Sequence, residues 1–259
     1  MKIFHLVTVL LLAYARIASP ESCHHQPKSI FILSGQSNMS GRGGVGRVKW
    51  DGVVPPECEP SPSILRLGPN LTWEEAKEPL HADIDLNKTL GIGPGMSFAH
   101  SVLAQEPSLG PIGLVPCAVG GTNITEWARG GLLYSDMVRR AKAAVKHGGT
   151  IRAILWYQGE SDTIIEEDAL RYKHRLKKFI EEVRCDLKLP TLPFIQVGLA
   201  TALGPYIDIV RAAQFGVKLP NVKIVDAKGL PLEWDHVHLN TPAEVKLGKM
   251  LAHAFLHDF

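Results

Sequence analysis

Hydrophobic residues in this chain group into short, continuous runs that are separated by turn residues and by helical patterns. Five of these runs predict strands: Ile30–Leu33, Ile112–Val119, Ile151–Tyr157, Phe194–Leu199 and Val222–Val225. The runs are nearly continuous rather than alternating, which is typical of strands that are covered on both faces. The pattern therefore predicts a parallel sheet with buried strands.

Apolar residues recur at helical spacing between these strands. The predicted helices are Met96–Gln105, Tyr134–His147, Glu166–Leu187 and, with a weaker pattern, Pro205–Val217. A last helix is predicted from Thr241 as N-cap, with Glu244 completing a capping box. The alternation of strands and helices predicts an α/β fold, a three-layer αβα sandwich in one domain. Residues 41–95 are predicted to form one long irregular region.

The N-terminus has the pattern of a secretory signal peptide. Lys2 is followed by an apolar stretch over Ile3–Ala13 and then by small residues, so residues 1–19 are predicted to form the signal. Ala13-Tyr14-Ala15 fits the small-x-small cleavage rule best, and cleavage at Ser19 or Ser22 is the alternative. The stretch is too short for a membrane span. We therefore expect a secreted protein, extracellular or in a cell wall, with no membrane association after removal of the signal. Three sequons of the Asn-x-Thr form support secretion and offer candidate glycosylation sites: Asn70, Asn87 and Asn123.

Composition and charge exclude several classes of protein. The chain has 259 residues, of which 45% are hydrophobic and 21% charged, and this composition excludes intrinsic disorder. The net charge is +2, and loss of Lys2 and Arg16 with the signal leaves equal numbers of basic and acidic residues. Nucleic acid is therefore not an expected partner. We expect a monomer.

The cysteines favour neither a metal site nor a particular disulfide pattern. An oxidising compartment permits disulfides, and the pairing of the four cysteines stays open: Cys23, Cys58, Cys117 and Cys185. No pair has zinc-ligand spacing. Cys117 lies in an apolar run, so it is predicted to be a buried thiol rather than a redox group.

Polar motifs follow the predicted strands, at the edge where an open α/β sheet binds its ligands. Ser37 follows the first strand within Gly-Gln-Ser-Asn, where it is either a nucleophile or a turn serine. Met39 stands where a nucleophile elbow would have its second glycine. The glycine pattern over Gly41–Gly46 does not open a helix, so no dinucleotide cofactor is expected.

Further motifs supply donors and an acid–base pair. Gly121 follows the second strand, and Gln158-Gly-Glu160 follows the third, where Glu160 is either a site residue or a structural hydrogen-bond centre. Asp235 and His238 are three residues apart, so one turn can present both side chains. A metal interpretation of this segment would use Asp235, His236 and His238 as ligands, but no second carboxylate or histidine cluster elsewhere in the sequence completes such a site. A nucleophile, a base and oxyanion donors at one sheet edge indicate an acyl-transfer site.

These four motifs together resemble the blocks of the SGNH hydrolase superfamily. Over residues 28–257 the chain is more closely similar to the plant carbohydrate esterases with a sialate O-acetylesterase-like domain, carbohydrate esterase family 6. The resemblance implies a flavodoxin-like αβα sandwich with a five-stranded parallel sheet. We expect no metal and no cofactor.

The resemblance also assigns roles to residues. Ser37 would be the nucleophile, His238 the general base and Asp235 the residue that orients it. The oxyanion hole would take backbone N–H groups of Ser37 and Gly121 and the side-chain amide of Gln158. The wider superfamily has asparagine at the Gln158 position.

The implied activity is that of a secreted serine esterase acting through an acyl-enzyme. It would remove acetyl groups from O-acetylated carbohydrate, a cell-wall polysaccharide such as xylan. The candidate substrate contacts are Gln36 (also a substitute oxyanion donor), Trp127, Arg129, Glu160 and Trp234. Two alternatives remain: an acyltransferase that uses the same triad, and a carbohydrate-binding protein without activity.

Overall fold

A seven-stranded sheet forms the centre of the described part of the chain. The computed structural model describes residues 29–86, 88–146 and 148–259. The strands are β1 (Ser29–Gly35), β2 (Ile64–Leu67), β3 (Trp73–Glu75), β4 (Ile112–Pro116), β5 (Thr150–Tyr157), β6 (Phe194–Gly198) and β7 (Val222–Asp226). Their order across the sheet is β3-β2-β4-β1-β5-β6-β7. Only the β2–β3 pair is antiparallel.

All five predicted strands are present, but the five-stranded sheet was a wrong expectation. The predicted irregular region 41–95 contributes β2 and β3, which extend one edge of the sheet. The hydrophobic pattern did not predict β2, because the charged Arg66 interrupts its short apolar run. Arg66 is nevertheless buried, and its guanidinium donates to Glu74 and Asp83 on neighbouring segments. A buried cation is tolerated when carboxylates pair with it.

Helices cover both faces of this sheet and confirm the predicted αβα sandwich. They are α1 (Ser37–Ser40), α2 (Gly95–Gln105), α3 (Leu132–Ala144), α4 (Glu166–Leu187), α5 (Ile207–Phe215) and α6 (Thr241–His257). Short 3₁₀ turns occur at Pro56–Cys58, Pro107–Leu109, Ile124–Trp127 and Ser161–Thr163. Helices α2 and α6 pack on one face and α3, α4 and α5 on the other.

Aromatic clusters mark the two interfaces between sheet and helices. On the first face, Phe31 of β1 meets the rings of Phe98 and Phe255 edge-on, each at 4.8 Å between centroids. On the second face, Trp156 of β5 packs against Phe179 of α4 at 4.6 Å. Edge-on and tilted pairs of this kind add to the stabilisation from burial alone.

The cap of helix α6 lies one residue earlier than predicted. Asn240 is the N-cap, and its side-chain oxygen accepts a hydrogen bond from Ala243 N–H at 3.0 Å. Thr241 is thus the first helical residue, and the predicted capping box with Glu244 is wrong. Asparagine and threonine both cap helices well, and the sequence alone did not distinguish the two registers.

Cys58 and Cys117 are buried and Cys185 is exposed, and these three form no disulfide with one another. Burial raises the pKa of the Cys117 thiol to about 12, so the predicted inert, buried thiol is confirmed. Cys23 lies outside the described residues, and the pairing of the cysteines stays open.

Two of the three Asn-x-Thr sequons fall in described segments. Asn70 is exposed in a turn before β3, whereas Asn123 caps a 3₁₀ turn and its side-chain oxygen accepts from Thr125 N–H at 2.9 Å. Asn87 and the predicted signal, residues 1–19, lie outside the described residues. Within the described ranges, no helix combines the length and apolar character needed to cross a membrane.

Substitution of Arg140 in α3 tests whether its side chain stabilises the ends of β2 and β4. Its guanidinium is 1% exposed and donates to the carbonyl oxygens of Leu67 (2.6 Å), Gly68 (3.2 Å) and Pro116 (2.9 Å), where β2 and β4 end. Arg140→Ala leaves these carbonyls without their donor. We expect the free energy of unfolding in urea to fall by about 2–4 kcal/mol.

The neighbouring Arg139 is the matched control, because it is exposed and pairs only with Asp136 one turn away. Arg139→Ala should change the free energy of unfolding by no more than about 0.5 kcal/mol. Equal effects of the two substitutions would show that the buried guanidinium does not hold this edge.

Candidate active site

Ser37 lies at the tight turn that leaves the central strand β1. The strand ends at Gly35, whose φ is +129°, and helix α1 begins two residues later at Ser37. A Cβ at Gly35 would lie 2.0 Å from the carbonyl oxygen of Tyr157, so only glycine fits beside β5 here. This turn places Ser37 at the carboxyl edge of the sheet, 6% exposed.

His238 and Asp235 meet Ser37 from the segment before helix α6. His238 Nε2 lies 2.9 Å from Ser37 Oγ, and His238 Nδ1 lies 2.6 Å from Asp235 Oδ2. The second oxygen of Asp235 accepts the backbone N–H groups of Val237 (2.9 Å) and His238 (3.0 Å). The carboxylate is therefore fixed, and Nδ1–H donates to it while Nε2 faces the serine hydroxyl.

The environment keeps His238 neutral and Asp235 ionised near neutral pH. Burial lowers the pKa of His238, and Arg42 contributes in the same direction, although Asp235 raises it. Burial alone would raise the pKa of Asp235, but its hydrogen bonds from His238 and Val237 outweigh this effect and lower it. A neutral imidazole beside a hydroxyl can accept its proton.

Backbone donors lie next to Ser37 on the segment after β4. A Cβ at Gly120 would lie 3.4 Å from Ser37 Cβ, so this backbone passes directly beside the serine. Gly121 has φ of +80°, and its N–H has no hydrogen-bond acceptor among the described residues. The same holds for Ser37 N–H at the start of α1. Two free N–H groups beside a hydroxyl can stabilise an oxyanion.

The side-chain amide of Gln158 is already hydrogen-bonded to other protein groups, which argues against its predicted role in the oxyanion hole. Its Nε2 lies within hydrogen-bond distance of Asp162 Oδ2 (2.5 Å) and Thr122 O (3.0 Å), and its Oε1 accepts from Tyr172. The Gln158 amide is fully buried in this network. Its donors are used, so they are not free for a developing charge.

Gln36 is the remaining side-chain amide at this turn. Its Oε1 accepts long hydrogen bonds from Gln158 (3.3 Å) and from Ser161 N–H (3.4 Å). Its amide nitrogen has no acceptor among the described residues. Gln36 is therefore the better candidate for the third oxyanion donor, and it is buried rather than open to a sugar.

A buried clamp, which sequence reasoning missed, holds the serine and histidine segments together. Asn38 Nδ2 donates to Glu160 Oε1 at 2.7 Å, and Asn38 Oδ1 accepts from Leu239 N–H at 2.9 Å. Both Asn38 and Glu160 are completely buried. The predicted substrate contact of Glu160 is thus wrong, and the structural alternative holds. The position of Asn38 directly after Ser37 was the available signal.

A buried ion pair, also missed, fixes the segment after β4 against α1. Arg42 Nη2 lies 2.9 Å from Asp85 Oδ2, which also accepts from Ser40 Oγ (2.9 Å) and Gly120 N–H (3.1 Å). Asp85 lies in the region predicted to be irregular, where nothing in the sequence distinguished this buried carboxylate from exposed ones. The pair fixes Gly120, whose backbone passes beside Ser37 and continues into Gly121.

The three remaining candidate substrate contacts differ in their exposure. Trp127 is 0% exposed and its Nε1 donates to Thr122 Oγ1 at 3.1 Å, so it cannot stack on a sugar. Arg129 is exposed, pairs with Asp186, and borders a cavity of about 240 Å³ against α4. Trp234 is 56% exposed and directly precedes Asp235.

No group of three or more His, Cys, Asp or Glu side chains within the described ranges is placed to hold a metal ion. His236, the third member of the metal interpretation, is exposed and has φ of +59°.

Comparison with known proteins gives matches over nearly the whole chain. The family model described as carbohydrate esterase, sialic acid-specific acetylesterase matches residues 27–257. The chain is 55% identical over 240 residues to the probable carbohydrate esterase At4g34215 of Arabidopsis thaliana, covering 90% of this chain and 92% of that protein.

Solved structures resemble this one in fold. The X-ray structure of the Arabidopsis protein matches with a TM-score of 0.87 at 55% identity, covering 90% of this chain and 99% of that one. The structure of NanS matches with a TM-score of 0.72 at 18% identity, covering 90% and 98%. At that identity, the second match shows the shared fold alone.

The buried Glu160 carboxyl should make stability depend on pH. Burial raises its pKa to about 7, even though the hydrogen bond from Asn38 lowers it. The folded state therefore holds this proton more tightly than the unfolded state does. The resulting stabilisation is complete below about pH 4.5 and is lost as the pH rises through 7, amounting to up to about 3 kcal/mol. Glu160→Gln keeps an acceptor for Asn38 and should reduce the loss between pH 5 and pH 7.5.

The measurement is the free energy of unfolding in urea at several pH values. Glu57→Gln is the control, since the hydrogen bond from Lys249 lowers the pKa of the exposed Glu57 carboxyl, the opposite direction. A Glu160→Gln profile with the wild-type slope would contradict the assignment.

Proposed function

Because the chain belongs to the sialic acid-specific acetylesterase family of carbohydrate esterases, we propose that it is a secreted serine esterase of O-acetylated carbohydrate. The family makes it a carboxylic ester hydrolase. The substrate we propose is a cell-wall polysaccharide such as xylan. One observation carries the mechanism: Ser37 Oγ, the His238 ring and Asp235 form a continuous chain of hydrogen bonds of 2.9 and 2.6 Å.

In the first half of the reaction, Ser37 Oγ attacks the carbonyl carbon of the acetyl ester. His238 Nε2 takes the hydroxyl proton as the new C–O bond forms, and the charge that develops on the ring is stabilised by Asp235. The proton then passes from His238 to the sugar oxygen as the ester C–O bond breaks. The sugar leaves with a free hydroxyl, and the acetyl group stays on Ser37.

In the second half, water hydrolyses the acetyl-enzyme. His238 Nε2 takes a proton from the water as its oxygen attacks the acetyl carbon, and returns that proton to Ser37 Oγ as acetate leaves. Both steps pass through an oxyanion. We assign its stabilisation to the N–H groups of Ser37 and Gly121, with the Gln36 amide as third donor in place of Gln158. Losing one such donor typically raises the barrier by about 3–4 kcal/mol.

Secretion and the polymeric substrate rest on sequence features. The apolar N-terminal stretch has the length of a signal peptide, and Asn70 is an exposed sequon. An exported esterase meets acetylated polysaccharide rather than intracellular esters. The descriptions of the family and of its Arabidopsis member support carbohydrate as the alcohol part of the ester and acetyl as the acyl part.

Acetate release from a panel of acetyl esters tests this function. The panel contains p-nitrophenyl acetate, acetylated xylan and acetylated pectin, with purified mature protein. We expect release by the wild type, and we expect Ser37→Ala and His238→Ala each to lower kcat by about 10⁴-fold or more, because the triad acts as a unit.

Ser161→Ala, at a serine outside the hydrogen-bonded triad, is the control and should keep most of the activity. Wild-type rates in Ser37→Ala would remove the nucleophile assignment. If the folded wild type releases no acetate from any ester but transfers acetyl groups to added sugar, the enzyme is an acyltransferase. Binding of sugar without either reaction would indicate a carbohydrate-binding protein.

The pH dependence of kcat/KM tests the role of His238. The base must be neutral, and burial lowers the pKa of His238 below its ordinary value of 6.5. The activity should therefore rise with pH, with the midpoint of the rise below pH 6.5. Asp235 raises this pKa, so Asp235→Asn should shift the rise to lower pH and reduce the plateau by about 10³–10⁴-fold. A rise that occurs above pH 7 in the wild type would contradict the assignment.

A further inference from the structure

An open groove lies beside the candidate triad. This side groove has a volume of about 490 Å³ and is lined by Gly44–Lys49, Asp51, Glu233 and Trp234. The volume falls within the range of about 300–1,000 Å³ that small-molecule sites occupy. Neither Ser37 nor His238 lines it, so it is separate from the position of the reacting ester.

Both walls of the side groove are extensions of segments that build the site. One wall follows Arg42, whose guanidinium pairs with Asp85. The other wall belongs to the turn that carries Asp235 and His238, since Glu233 N–H donates to the His238 carbonyl oxygen at 2.7 Å. Gly44 N–H donates to Glu233 Oε1 at 2.7 Å and joins the two walls.

The lining has the chemistry of a carbohydrate site. Trp234 is 56% exposed, and the Arg47 guanidinium lies 5.7 Å from the centroid of its ring. An indole packs against the C–H face of a sugar ring, while guanidinium and carboxylate groups bond its hydroxyls. Arg47 and Lys49 balance Asp51 and Glu233 in charge, which favours a neutral sugar over an acidic one.

We propose that the side groove is a subsite for a neutral sugar ring adjacent to the acetylated one. The preferred substrate is then an acetylated oligosaccharide or polysaccharide rather than an acetylated monosaccharide. This inference rests on the proposed function for the position of the acetylated ring at Ser37. Trp234 supplies the stacking surface and Arg47 orients that indole and donates to sugar hydroxyls.

Binding to an inactive protein tests the proposal without requiring turnover. Calorimetry on Ser37→Ala would use acetylated tetraoses of xylose, mannose and glucose, each beside its acetylated monosaccharide. We expect at least one tetraose to bind about tenfold or more tightly than its monosaccharide, as an aromatic contact contributes. Adding Trp234→Ala should remove this difference, and adding Arg47→Ala should reduce it.

Leu132→Ala in the same Ser37→Ala protein is the control, since Leu132 is an exposed hydrophobic residue outside the groove. It should leave the difference intact. Equal binding of all tetraoses and monosaccharides, or a length dependence that survives both groove substitutions, would overturn the proposal. Length-dependent binding together with a wild type that releases no acetate would support the subsite and contradict the esterase function.

Discussion

The candidate site depends on one buried side chain, Asn38, which bonds to two segments that are far apart in the sequence. Its amide donates to Glu160 after β5 and accepts from Leu239 beside His238. Hydrogen bonds in a buried environment are strong, and leaving one of these groups unpaired is costly. The 2.9 Å contact of Ser37 with His238 therefore does not have to hold these segments together by itself.

The network that holds the site in place also buries ionisable side chains, which is energetically costly. Glu160 and Arg42 both lie away from water, and burial raises the pKa of Glu160 to about 7. A buried ion pair such as Arg42–Asp85 is weak evidence for added stability, because desolvation offsets the attraction. Its value here is positional, since it fixes Gly120 beside Ser37 and contributes to the lowered pKa of the histidine base.

Sequence patterns predict the parts of this protein that depend on local chemistry. Continuous apolar runs predict strands, and the three-residue spacing predicts that Asp235 and His238 share a turn. The direction of a side chain depends on other segments. Trp127 and Trp234 both adjoin a motif, yet the first packs against Trp156 and only the second is exposed. The amide of Gln158 is likewise used by Asp162 and Thr122, partners that no spacing indicates.

The shared turn also links substrate binding to the reaction. Trp234 lies between Glu233, which bonds to Gly44 and to the His238 carbonyl, and Asp235, which fixes the histidine ring. A sugar bound on the indole would thus contact the same short segment that positions the general base. Binding energy from a remote part of a substrate accelerates a reaction when it orients the reacting groups. Since this turn carries both the stacking surface and the base, occupancy of the side groove should favour kcat as well as affinity.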